Sequence, residues 1–199
     1  MKKILILILL FNITKSNSQT PVITLENKDG TRQSGAYYKD TNYILNNYEG
    51  IWQYTNGADT LRIELRKITS QFLVSYYEDI LVGEVKYVKN GTVKANTLSA
   101  LNINYGLGQR HTISGNTILT SPNFLNCTDC ATGEKRVYLG FSDPDPEVSL
   151  GGYIVLKKTN VSGLEAIKIW IGYASGTKRE GEVVPDSTIK YGWYTLTRQ

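Results

Sequence analysis

Two cysteines three positions apart, Cys127 and Cys130, are the whole thiol complement of this 199-residue chain. A C-x-x-C spacing serves thiol–disulfide exchange, half of a zinc site, or a local disulfide. Exchange needs a βαβ setting with a helix starting at the first cysteine, and the surrounding Asn, Thr, Asp and Gly residues make a loop instead. Zinc needs two further thiolate or imidazole ligands, whereas the chain has one His and no other Cys. The pair therefore reads as a disulfide pinning a loop, which suits an oxidising compartment.

The single histidine, His111, would do acid–base work only beside a nucleophile or carboxylate, and no G-x-S-x-G surrounds a serine. It reads as a paired or exposed strand residue. Two acidic clusters remain, Glu78-Asp79 and the run Asp143-Pro144-Asp145-Pro146-Glu147. The second alternates carboxylates but lacks the glycine and the spacing of a calcium loop, so it reads as a solvated turn. A glycosidase-like pair needs only two carboxylates facing across a cleft, and no pattern here selects one. The patterns thus assign no catalytic residue, metal ligand or cofactor.

Aromatic residues are the other chemical resource. Fourteen Tyr and three Trp are spread along the chain, among them Tyr138, Tyr153, Trp170, Tyr191, Trp193 and Tyr194. Rings with a polar tip suit ordinary sheet packing, and equally a wall that holds a sugar or a lipid.

The elements that must position these residues are strands. Leu61-Arg62-Ile63-Glu64-Leu65-Arg66 alternates apolar and charged residues, so Leu61, Ile63 and Leu65 share one face. Similar runs over 51–55, 72–77, 80–88, 93–98, 111–119, 136–141, 152–157, 166–172 and 189–197 bring the expected count to about ten. Turn signals separate them at Asn56-Gly57, Asn90-Gly91, Gly115-Asn116, Thr132-Gly133 and Ser175-Gly176. Short connections favour an antiparallel meander. A short helix is expected over 41–48, with Asp40 or Thr41 as its cap.

The N-terminus reads as an address. Lys2-Lys3, the apolar run 4–11 and the small residues Ser16-Asn17-Ser18 have the order of a signal peptide. Eight apolar residues fall short of the roughly 20 that span a bilayer, so no membrane anchor is expected. Three of the 22 basic residues, Lys2, Lys3 and Lys15, lie in that segment, which leaves 19 against 18 acidic ones. A nearly neutral chain carries no footprint for nucleic acid. The expected organisation is a signal peptide over 1–18, an N-terminal arm over 19–39, and one domain over 40–199.

Gly50-x-Trp52 opens the first strand of the meander just after the helical turn, and Arg198 stands near the end of the last strand. That order resembles the calycins, the superfamily of lipocalins and fatty-acid-binding proteins, although no second motif around T-D-Y is present. The resemblance implies a barrel closed at one end by Trp52, with Arg198 packed over the indole. The stretches at 29–40, 48–52, 76–91 and 189–199 are also similar to small exported proteins of Bacteroidetes grouped as a domain of unknown function. That likeness implies export and a single domain.

The expectation is an all-β chain forming a single, lipocalin-like antiparallel β-barrel of about eight to ten strands with a short N-terminal helix, a β-sandwich being the alternative. The protein is expected to be exported to the periplasm or beyond, monomeric and non-enzymatic. Its first expected function is to bind a small hydrophobic or amphipathic molecule in the barrel, by analogy of fold. The second is a surface module that binds protein or glycan through an aromatic face, and the third a hydrolase with an unrecognised carboxylate pair. An apolar cavity of about 300 Å³ or more inside the barrel favours the first, and a filled interior counts against it.

Overall fold

The computed structural model describes residues 20–28, 30–106, 110–121, 127, 129–145, 148, 151–173 and 186–199. The signal segment expected over 1–18 and the turn expected at Ser175-Gly176 lie outside them.

The alternating run at Leu61 belongs to a long strand, β4 (Asp59–Leu73), paired with β3 (Gly50–Asn56) and β5 (Tyr76–Lys89). The meander continues through β7 (Ile113–Leu119), β8 (Arg136–Ser142), β9 (Gly151–Val161), β10 (Leu164–Tyr173) and β11 (Gly192–Arg198). β11 returns to β3, and β7 pairs with β5 from Leu81↔Gly115 to Gly83↔Ile113. These eight antiparallel strands close a barrel and leave no open sheet edge, which a sandwich would. Three short strands lie outside it: β1 (Val22–Thr24) and β2 (Tyr37–Lys39) add in parallel to β5, and β6 (Thr92–Asn96) pairs with the far end of β5.

Three local expectations are corrected. The helix expected over 41–48 is a 3-10 turn, Leu45–Tyr48. Tyr43 has φ +54, which no helix continues through, and the four residues that remain are too few to offset helix nucleation. Asp40 does tie the turn down, accepting from the Ile44 and Leu45 amides at 2.8 and 2.9 Å. The strand expected over 72–77 contains the hairpin turn Val74–Ser75 between β4 and β5. Gly115-Asn116 is not a turn but an irregularity within β7, between the pairs Ser114↔Gly140 and Thr117↔Tyr138.

Inside the barrel the period of two produces one apolar lining. Leu61, Ile63 and Leu65 meet Leu81, Val85, Ile113, Val137, Leu139, Ile154, Leu156, Ile167, Ile169, Ile171 and Leu196 in a single cluster. A void that held water would leave its lining accessible, yet Leu61, Leu81, Val85, Leu139, Leu156 and Ile169 have no accessible surface. The interior is filled.

Candidate functional site

Both ends of the barrel are stoppered. At one end Trp52 is fully buried and donates its indole N–H to the Tyr48 carbonyl at 2.7 Å. The Arg198 guanidinium lies 5.1 Å from the Trp52 ring centre and donates to the Glu49 carbonyl at 3.1 Å. Lys158 approaches the same ring at 4.9 Å, and Glu165 pairs with both cations. Gly50, at φ +121, makes room: a Cβ there would stand 3.0 Å from an Arg198 nitrogen. Gly50, Trp52 and Arg198 thus meet in one closure. At the other end Ile189 is fully buried beside Tyr173, whose hydroxyl lies 2.8 Å from the Ile189 carbonyl and 3.1 Å from Asp143. Tyr54 and Tyr194 pack edge to face there, and burial pushes the Tyr194 hydroxyl up to about 12.

The described acidic residues Glu78, Asp79 and Asp143 are structural; Asp143 is buried and not part of a solvated turn as expected, and Pro146 and Glu147 lie outside the described residues. Glu78 holds Lys28, Arg32 and Asn116, fastening the N-terminal arm to the barrel wall. Asp40 and Asp79 flank Lys67 at 2.9 and 3.7 Å. All four of their oxygens already accept bonds: Asp40 from two amides, Asp79 from Tyr37, Ser70 and the Asp40 amide. An acid–base pair needs a free oxygen turned to substrate, and this pair has none. Asp143 likewise spends its carboxylate on Tyr173 and on the Thr188 and Asp145 amides.

Cys127 and Cys130 are joined by a disulfide, so the cluster they make with Asp129 offers a metal one carboxylate and no thiolate. Asp129 is in turn held by Lys157 and Lys168 at 3.4 and 2.9 Å. Hydrogen bonding from Lys168 keeps its carboxyl below the ordinary range. These lysines stand on the outer faces of β9 and β10, so the disulfide loop is seated against the barrel wall.

Beside that loop the outer wall is aromatic. Each of four consecutive strands turns one ring outward: Tyr138 on β8, Tyr153 on β9, Trp170 on β10 and Trp193 on β11. The alternate residues Leu139, Ile154, Ile169 and Leu196 point into the core. Trp170 and Trp193 are direct cross-strand partners with ring centres 5.3 Å apart. Tyr138 and Tyr153 stack at 5.3 Å with 20° between their planes. Tyr153 lies over Gly172, where a Cβ would fall 2.5 Å from the ring, so the glycine lets the ring lie flat. Lys168 sits 4.8 Å over Trp193, which is 39% exposed. The Trp170 indole N–H is buried and has no hydrogen-bond partner among the described residues. Across four strands this face spans about 14 Å.

Sequence reasoning missed one pairing. His111 is buried, and its Nδ1 lies 2.8 Å from Glu84, whose other oxygen accepts from the Thr112 hydroxyl at 2.6 Å. The two residues are 27 positions apart, and the antiparallel pairing of β7 with β5, through Gly83↔Ile113, brings them together.

The chain matches, over residues 1–190, the model of a family of unknown function (DUF6705). The chain belongs to this family. No curated protein and no solved structure matches it. No helix among the described residues is long and apolar enough to cross a membrane.

Proposed function

We propose that this member of the family is a non-catalytic binding protein whose ligand lies on the outer aromatic face of β8–β11, and that the ligand is a glycan. The observation that carries the reading is the pairing of a filled barrel interior with an outward ring on each of four consecutive strands. Flat rings suit the C–H faces of a sugar, while Lys168 and Asp129 offer bonds to its hydroxyls. A hydrophobic guest inside the barrel would have to displace packed Leu, Ile and Val side chains, which makes the interior the poorer host.

The test titrates cellohexaose, chitohexaose and xylohexaose, and separately oleate, into the wild-type protein and into Trp193→Ala. Binding of at least one hexasaccharide, weakened about tenfold or more by Trp193→Ala, supports the reading. Stoichiometric uptake of oleate, undiminished in Trp193→Ala, would return the ligand to the barrel.

A further inference from the structure

A second site is built on the opposite part of the wall, independently of the aromatic face. Between the outer side of β4, residues 102–105 and His111 lies a pocket of about 410 Å³, lined by Arg66, Thr69, Gln71, Asn102, Tyr105 and His111 among others. That volume falls within the range of small-molecule sites, about 300–1,000 Å³. Gln71 donates to the Gly106 carbonyl, and Asn104 accepts from the Gly106 amide at 2.9 Å, so the far wall is tied to β4.

Arg66 is the feature that packing does not explain. Its Nε is buried without a hydrogen-bond partner among the described residues. Its one hydrogen bond among the described residues is from Nη1 to Asn102 at 3.4 Å, and it makes no ion pair there. The neighbouring arginine on the same face, Arg62, is by contrast held by Glu64 at 2.5 Å. Lys67, also on the pocket wall, is committed to Asp40, Asp79 and Asn46. Among the described residues lining it, the pocket therefore holds one uncommitted positive charge in a planar, forked group.

His111 is fixed through Nδ1 by Glu84, its Nε2 has no hydrogen-bond partner among the described residues, and Tyr105 packs edge-on against the ring at 5.0 Å. Glu64 stands directly across from Glu84 on β4 and β5. Glu64 is engaged by Arg62 and Glu84 by His111 and Thr112, so the group left to meet a ligand is a single guanidinium fork, which matches one carboxylate. Thr69, Gln71, Asn102 and Asn104 add hydroxyl and amide groups that pair with alcohols.

We infer that this pocket binds a small polyhydroxylated carboxylate, with Arg66 as the carboxylate clamp and His111 and the amide side chains reading the hydroxyls. The acid could be free or could end a glycan chain, and the two present the same chemistry to Arg66.

The test is isothermal titration calorimetry of the folded protein with D-glucuronate, methyl β-D-glucuronide, D-glucose and inorganic phosphate, each variant first shown to melt cooperatively. Glucuronate is expected to bind, with glucose and phosphate at least about tenfold weaker. Arg66→Gln should weaken glucuronate about tenfold or more, and Arg62→Gln should leave it unchanged. Methyl β-D-glucuronide binding as well as glucuronate supports a chain-end acid, and its loss supports a free one. Trp193→Ala should not alter glucuronate binding, which separates this site from the aromatic face. No glucuronate binding to wild type, equal binding in Arg66→Gln, or phosphate as tight as glucuronate overturns the inference.

Discussion

Replacing Arg198 by Met tests the closure of the barrel. Three contacts go with the guanidinium. The cation over Trp52 at 5.1 Å contributes about 1 kcal/mol, because the indole is fully buried although the cation is not. The charged hydrogen bond to the Glu49 carbonyl at 3.1 Å contributes about 1.5 kcal/mol. The Glu165 pair joins side chains that are 41% and 43% exposed, and is worth a few tenths of a kcal/mol at most. Met retains part of the apolar contact, so the net loss is about 2 kcal/mol. For a domain of this size each kcal/mol moves Tm by about 2–4 °C, which gives a drop of about 4–8 °C. Arg62→Met is the control: its side chain is 38% exposed, and its hydrogen bonds go to the partly exposed Glu64, so the loss should stay under about 1 kcal/mol. Thermal melts followed by circular dichroism measure both. A drop for Arg198→Met no larger than for Arg62→Met would refute the reasoning that this arginine closes the barrel.

Overpacking tests the filled interior: Val85→Phe should cost about 1–3 kcal/mol in urea unfolding, whereas a barrel with room for a ligand would tolerate it. Reducing the Cys127–Cys130 bond opens a loop of only about four residues, so Cys127→Ser with Cys130→Ser should lose at most about 2 kcal/mol and keep the β-sheet spectrum. Hydrogen bonds from Lys135 and Lys158 hold Glu26 and Glu165 below the ordinary 4.5. The unfolded chain therefore takes up these protons first, and the stability they contribute above pH 4.5 should fade as pH drops through their folded values in an acid titration. On the alkaline side burial keeps Tyr194 neutral to about 12 and pushes Tyr37, Tyr48 and Tyr173 upward. Stability should be intact below the ordinary tyrosine value of 10.0 and fall above it, as the unfolded chain ionises first. The share of the phenolate absorbance that these four tyrosines contribute should then rise together with unfolding rather than before it.

The strands were legible because alternation reports burial directly: Leu61, Ile63 and Leu65 line the core as their period requires. The hairpin at Asn90-Gly91 was legible for a different reason, since φ of +50 and +74 is what that dipeptide accommodates. The same logic failed at Gly115-Asn116, where the glycine serves a close approach to the Leu139 backbone rather than a chain reversal. Val74 was illegible as a turn because a β-branched residue at φ +60 is disfavoured locally and is imposed by the pairing of β4 with β5. The aromatic face was half legible. Composition supplied the rings, but only the register places Trp170 opposite Trp193 and sets Tyr153 across from Gly172. Glu84 and Arg66 carried no local signal, because what they face comes from later chain: pairing of β7 with β5 brings His111 to Glu84, and residues 102–105 come to lie beside Arg66.

The three indole N–H signals of a proton–nitrogen NMR spectrum test most directly where the ligand sits. Trp52 lies in the sealed end of the barrel, and Trp170 and Trp193 lie on its outer wall. Titration with the hexasaccharide that binds should shift the Trp170 and Trp193 signals and leave Trp52 in place. A shift of Trp52 with the outer pair unmoved would contradict the account and put the ligand inside the barrel.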